Sequence, residues 1–344
     1  MRYAAPAFVG QRMQFDRLKR REFISLLGGA AVAWPLVARA QQSAMPVIGV
    51  LSPGSPEADA GRLSALRGGL AEIGYVEGQN VAIEYRGAQH QFDRLPALAV
   101  DLVSRQVSVI VVVSAPGAVA AKAATNKIPI VFSIGTDPVQ LGLVTSLNRP
   151  DGNITGVSNL NTAVIGKRLE ALHESVPTAR VIGYLANPKN AATTPVETME
   201  LHAAGRALGV ELRVLNAADE SGIDTAFATL AKERSMPLVV STDNLFTDRP
   251  VRLVELAARH AIPAIYPYRY FAAAGGLMSY GPDLADAYRV VGTYAGRILK
   301  GARPADLPAH QAVKVELAIN LKTAKALGIT FPLPLLGRAD EVIE

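Results

Sequence analysis

The sequence predicts an α/β protein of two similar lobes, each a parallel sheet with helices on both faces. Three observations predict it: short β-branched runs alternate with longer amphipathic stretches, the alternation restarts near Val164, and enough chain remains after the second unit for further crossings between the two.

In the first unit, "PVIGVLS" (46–52), "VAIEYR" (81–86), "VSVIVVVS" (107–114) and "IPIVFSI" (128–134) read as strands. Between them Leu63, Leu66, Leu70 and Ile73 recur at helical spacing, as do Leu95, Leu98 and Leu102. The segment "RPDGNITGVSNLN" (149–161), rich in Gly, Asn and Asp, is the natural place for the chain to cross. In the second unit a helix carrying Leu169, Leu172 and Val176 leads to strands "RVIGYLA" (180–186), "ELRVLN" (211–216) and "LVVST" (238–242). Helices with Ile223, Phe227 and Leu230, then Leu253 and Leu256, lie between them, and the apolar "IPAIYP" (262–267) follows. Beyond Gly275 come "GGLMSYGP", a helix over 285–300, an extended "AVKVELAIN" (312–320) and a helical "LKTAKALG". The expected lobes are 45–159 with 281–312, and 160–280 with 313–344. Repeated crossings make a hinge, and a hinge makes a cleft that closes.

The stretch "KRREFISLLGGAAVAWPLVARAQQ" precedes all of this. Its apolar run, Ile24 to Val37, is shorter than the ~20 residues a spanning helix needs. Gly28, Gly29 and Pro35 make a poor core helix, and Ala38-Arg39-Ala40 suits a signal peptidase. Arg20-Arg21 before Glu22-Phe23-Ile24 resembles a twin-arginine export signal, with a Sec signal as the alternative. Residues 1–40 are therefore expected to be a signal peptide, with Met13 a candidate start and the periplasm the destination.

The whole chain has 35 basic and 30 acidic side chains. Residues 1–40 hold seven of the basic and two of the acidic ones, so residues 41–344 carry 28 of each. The basicity belongs to the leader, and a nucleic-acid partner loses its support. With no cysteine, an exported chain has neither disulfides nor a lipid anchor and relies on an ordinary core. No second long apolar segment predicts stable membrane insertion.

Catalytic patterns are missing. "HESVP" at His173 lacks the second histidine of a zinc-protease motif, because Pro177 stands there. There is no G-x-S-x-G elbow, and Gly166-Lys167 lacks the rest of a phosphate loop. "LSPGSPEADAG" lacks dinucleotide spacing. His90, His173, His202, His260 and His310 are scattered, with no pair at metal-ligand spacing. The sequence thus predicts a binding fold without catalytic residues, metal or cofactor.

Candidate ligand residues lie where parallel strands end. Ser52 closes the first strand. Ser114 ends another, and Ala115-Pro116 opens a helix whose amides suit a carboxylate; Ser114 is equally suited to cap that helix. Asp137 follows the next strand, placed to meet an ammonium, although Asp before Pro is also a turn former. Asn187, Asp243 and Asn244 hold equivalent places in the second unit. Tyr268, Tyr270, Phe271 and Tyr280 cluster near the third crossing, suited to packing or to an apolar ligand side chain.

"GTDPVQLGLVTSLNRPDGNITGVS" (135–158), "LAARHAIPAIYPYRYFAAAGGLMSYGPD" (256–283), "RILKGARPADLP" (297–308) and "ELAINLKTAKALGI" (316–329) resemble the ABC-transporter substrate-binding protein family that includes tryptophan and other aromatic amino-acid uptake proteins. The resemblance covers nearly all of the chain after the leader. It implies a type I periplasmic binding protein, with two Rossmann-like lobes, a three-crossover hinge and a small ligand trapped between the lobes. It also implies permease and ATPase partners. Ser114, Ala115, Asp137, Asn187, Asp243 and Asn244 match the family's cleft positions. The chain departs from the family at Asn244, where Pro is frequent, at Tyr270, where Glu is frequent, and at Asp151, where Gly is usual. The expected function is capture of an amino acid or related small acid for an importer. A ligand sensor for a membrane signalling partner and an exported α/β enzyme are the alternatives.

Overall fold

The computed structural model describes residues 45–232, 236–311 and 314–344; the expected leader, 1–40, lies outside the described residues. β1 (Val47–Ser52), β2 (Ala82–Gly87), β3 (Val109–Val112), β4 (Ile130–Ile134) and β5 (Ile154–Ser158) are all parallel. β3 and β4 are buried at every position, which is why they read as unbroken apolar runs. Helices α1 (Ala60–Glu72), α2 (Leu95–Ser104) and α3 (Ala115–Ala124) cover the sheet. Because β1 lies between β2 and β3, the order reverses there, and the crevice beyond the strand ends faces the second lobe.

The chain passes to the second lobe at 159–164. There β6 (Val181–Ala186), β7 (Glu211–Asn216), β8 (Leu238–Val240), β9 (Ala264–Tyr266) and β10 (Met278–Pro282) form the parallel part of a second sheet. α4 (Ile165–Ser175), α5 (Thr194–Leu208), α6 (Glu220–Lys232), α7 (Asn244–Thr247), α8 (Pro250–Arg259) and α9 (Arg269–Ala273) connect these strands.

After Pro282 the chain returns to the first lobe. Asp283 caps α10 (Leu284–Leu299) by accepting from the amides of Ala285 and Asp286. α10 packs backbone to backbone on α1: a Cβ at Gly69 would lie 1.9 Å from the Arg289 carbonyl oxygen, and one at Gly292 would lie 2.2 Å from that of Leu66. Only glycine permits this approach, which fixes the returning helix in the first lobe. β11 (His310–Gln311) then pairs with β5, and β12 (Val315–Asn320) joins the second sheet beside β10. α11 (Leu321–Ala326), α12 (Leu333–Leu336) and β13 (Glu341–Ile343) complete that lobe.

The second sheet is mixed, whereas the sequence predicts a parallel one. β12 starts beside Pro282 and ends beside Met278, antiparallel to β10. The direction follows from its origin: β6, β8, β9 and β10 run toward the crossing region, while β12 enters from it and runs away. The edge strand β13 was not legible in the sequence, being three residues of no clear alternation. Each sheet has an apolar cluster on either face, from Leu102 and Phe132 or Leu66 and Val291 in the first lobe to Phe227 and Phe246 or Leu169 and Tyr184 in the second.

Candidate functional site

The strand ends of the two sheets face each other across a narrow polar cleft of about 40 Å3. On the first-lobe wall, Ser114 at the end of β3 accepts from Gly117 N at 3.2 Å and so caps α3. Its hydroxyl proton remains available to the cleft. Ser133 on β4 and Asn159 just after β5 are buried, and their Oγ and Oδ1 have no protein partner. Buried polar atoms are rarely left so, and here they face the cleft.

The second-lobe wall is held by two buried carboxylates behind it. Asp243 accepts from Asn187 Nδ2 at 3.0 Å, Leu245 N at 2.8 Å and Asn190 Nδ2 at 2.6 Å. Burial outweighs these bonds and pushes its carboxyl above the usual range. Glu197 accepts from Tyr184 Oη at 2.6 Å and Ser241 Oγ at 2.5 Å, and on its other oxygen from Thr242 N at 3.2 Å and Oγ1 at 2.5 Å. Asn190, Thr242 and Asn244 present the resulting surface to the cleft. Tyr268 lies beside them, its hydroxyl accepting from Asn161 Nδ2 of the first crossing.

Arg62 of α1 spans the lobes. It pairs with Asp59 in its own lobe and with Asp248 of the other at 2.9 Å, and reaches Thr247 Oγ1 at 3.4 Å. Asp59 also accepts from Ser52 Oγ at 2.5 Å and Tyr85 Oη at 2.6 Å. Burial pushes the Asp248 carboxyl up to about 6 despite Arg62. Nearby, Arg249 Nη1 contacts His90 Nε2 at 3.0 Å, and burial followed by Arg249 pulls that imidazole down to about 4. His90 and Gln89 both hold left-handed backbone, with φ of 62° and 52°, in the loop that brings the ring to the second lobe. These contacts across the cleft define a closed arrangement.

Of the residues expected from sequence, Ser114, Ala115, Asn244 and Tyr268 line the cleft. Asn187 and Asp243 lie behind its wall. Ser52 sits under the following turn, bonded to Asp59 and Gly54 N, and does not reach the cleft. Asp137 is exposed and accepts from Val139 N at 2.8 Å; it lines a neighbouring pocket with Gly135, Thr162 and Glu200 and not the cleft itself. Tyr280 faces a groove with Lys167, Glu174 and Arg338 on the second lobe. Arg62, Ser133, Asn159, Asn161 and Asn190 were missed. Only the last three carried a signal, as amides following strands; Arg62 reads as an ordinary helix-surface arginine.

Among the described residues no group of three His, Asp or Glu side chains could hold a metal ion. Among them, too, no helix is long and apolar enough to cross a membrane.

The family model described as "ABC transporter substrate binding protein" matches residues 47–343. The chain belongs to the ABC transporter substrate-binding protein family. This is a family of binding proteins, not enzymes. A tyrosine-binding protein of Clostridioides difficile (strain R20291) is 30% identical over 258 residues, covering 75% of this chain and 74% of that one. The ABC domain of Streptococcus pneumoniae in complex with L-Trp is 25% identical with a TM-score of 0.76, covering 87% of this chain and 99% of that one. A conserved domain protein of Vibrio cholerae O1 biovar El Tor, strain N16961, is 28% identical with a TM-score of 0.78 over the same shares.

Proposed function

We propose that this chain captures an aromatic amino acid, tyrosine or tryptophan, between its lobes and presents it to a membrane permease and its ATPase. The observation that carries this is the cleft itself, built from polar strand ends with unpartnered Ser133 and Asn159 facing inward, on a fold whose relatives are a tyrosine-binding protein and a domain holding L-Trp.

A zwitterion suits a cleft with carboxyl groups behind its second-lobe wall and hydroxyl and amide donors on its other side. The ammonium is assigned to the side of Asn190, Thr242 and Asn244, behind which the Glu197 and Asp243 carboxyls lie. The α-carboxylate is assigned to Ser114, the Ala115 amide, Asn161 and Tyr268. Asp137, expected to meet the ammonium, is assigned no ligand role because its carboxylate lies outside the cleft. Closure over the ligand shifts a pre-existing equilibrium, by an amount set by the ligand's preference for the closed form. The working location is assigned to the periplasm, after export through a twin-arginine leader cleaved behind Ala40.

Titration calorimetry of residues 41–344 against L-Trp, L-Tyr, branched amino acids, sugars and nucleosides tests this reading. Saturable binding of an aromatic amino acid supports it; binding of a sugar or nucleoside with none of any amino acid refutes it.

A further inference from the structure

Arg168 on α4 is fully buried, at 0% exposure. Its Nε donates to the Tyr280 carbonyl at 2.6 Å and its Nη2 to Asn161 Oδ1, but Nη1 has no protein partner. Among the described residues no carboxylate lies within ion-pair distance of it. Glu197 is the carboxylate whose attraction it feels most, and both Glu197 oxygens are already engaged by Tyr184, Ser241 and Thr242. Burial lowers Arg168 to about 10, so it is still charged at neutral pH. A buried guanidinium with neither a counter-ion nor a full set of acceptors is costly, and a ligand anion offsets that cost.

The other arginine at the cleft has no such surplus. Arg62 is outnumbered by Asp59 and Asp248, which both contact it. The uncompensated positive charge therefore lies on the Arg168 side.

A chain of hydrogen bonds leads from that charge to the cleft wall. Arg168 takes the Asn161 oxygen, so the Asn161 nitrogen points to Tyr268 and donates to its hydroxyl. With its lone pair so occupied, the Tyr268 hydroxyl directs its own proton elsewhere, and both Asn161 and Tyr268 line the cleft. Burial holds that phenol protonated, its pKa pushed up to about 12.

We propose that Arg168 is the positioning residue that selects a carboxylate in the ligand, acting through Asn161 and Tyr268 without touching it. This deepens the amino-acid reading above and rests on it. The same side chain binds the first crossing at Asn161 and the strand before the second at Tyr280, so carboxylate recognition and the hinge share one residue.

The test compares L-tryptophan with L-tryptophanamide, which lacks the carboxylate charge, by calorimetry on wild type, R168Q and R168K. The amino-acid reading is judged on wild type alone: failure of L-tryptophan and L-tyrosine to bind ends that reading and this inference together. Given binding, R168Q should weaken L-tryptophan by about tenfold or more beyond any loss it causes for L-tryptophanamide, since loss of the hinge bonds affects both ligands alike. R168K keeps a charge but not the fork, and should keep the wild-type acid-to-amide ratio even where both affinities fall. An equal loss of both ligands in R168Q, or no change in either, overturns the proposal. Should R168Q not fold, R168K decides: a preserved ratio supports it and a collapsed ratio overturns it.

Discussion

Arg62 of the first lobe and Asp248 of the second meet across the cleft at 2.9 Å, each side chain nearly buried. The two residues are 186 positions apart, Arg62 on α1 of the first lobe and Asp248 just past the C-terminal end of α7 in the second. A bond between them forms only when the lobes are together. Its contribution is to the closed state rather than to the folding of either lobe.

Breaking that bond should therefore open the protein. D248A leaves Arg62 with Asp59 as its remaining carboxylate partner, and truncating one member of a buried pair costs a few kcal/mol. Ligand affinity is expected to fall by about tenfold or more, with a larger radius of gyration for the unliganded protein in small-angle scattering. An unchanged radius together with unchanged affinity would show that the contact has no part in closure.

Gly54 provides a steric version of the same test. A Cβ placed there would lie 2.6 Å from Asp248 Oδ2 in the closed arrangement, and once the lobes part that neighbour is gone. G54A should weaken binding severalfold and leave the melting temperature of the unliganded protein within a few degrees. A large drop in that melting temperature would show instead that Gly54 matters to the fold of its own turn.

The pH response follows from Asp248 and His90, whose Oδ2 and Nε2 stand 3.9 Å apart. In the closed form Asp248 is raised from 3.8 to about 6 and His90 lowered from 6.5 to about 4. Water-exposed in the open form, both return toward the ordinary values. A raised carboxyl favours closure as pH falls through 6, because the closed form takes up the proton first. A lowered imidazole opposes closure as pH falls below 6.5, because the open form takes it up first. The two effects offset each other, so wild-type affinity should vary little between about pH 7 and 5. Removing one partner exposes the other: D248N should bind more weakly on acidification and H90Q more tightly. Slopes of the same sign in both variants would contradict the pairing.

Ser133 and Asp137 make opposite predictions four residues apart. Ser133 Oγ is buried, faces the cleft and has no partner. S133A should leave the unliganded protein as stable or slightly more so, since an unsatisfied hydroxyl is removed, yet lower ligand affinity about fivefold to tenfold. D137A removes an exposed turn bond and should leave affinity within about twofold, although it loses some stability. The reverse pattern would move the ligand toward Asp137.

The fold was legible because buried parallel strands appear as β-branched runs, as in "VIVV" of β3, and their order along the chain dictates alternate layers. β12 was legible as a strand but not in its direction, which depends on the side from which the chain re-enters the lobe. Part of the cleft was legible for the same reason as the strands: Ser114 and Tyr268 stand where strands end. Ser52 also stands at a strand end, but the turn after it buries its hydroxyl against Asp59. Arg62 and Arg168 carried no signal, since a helical arginine that spans two lobes or lies at 0% exposure has the same sequence context as one on a solvated face.

Capture of an aromatic amino acid is tested most directly by binding of L-tryptophan to residues 41–344. The chain's one tryptophan is Trp34, upstream of that segment, so the ligand's own indole fluorescence reports binding against a background of tyrosine alone. One saturable site for L-tryptophan, displaced by L-tyrosine and accompanied by a thermal shift worth ~2.7 kcal/mol at a hundredfold excess over Kd, is the predicted result. No change in fluorescence or melting temperature with either amino acid, beside a clear shift with a ligand lacking a carboxylate, would contradict it.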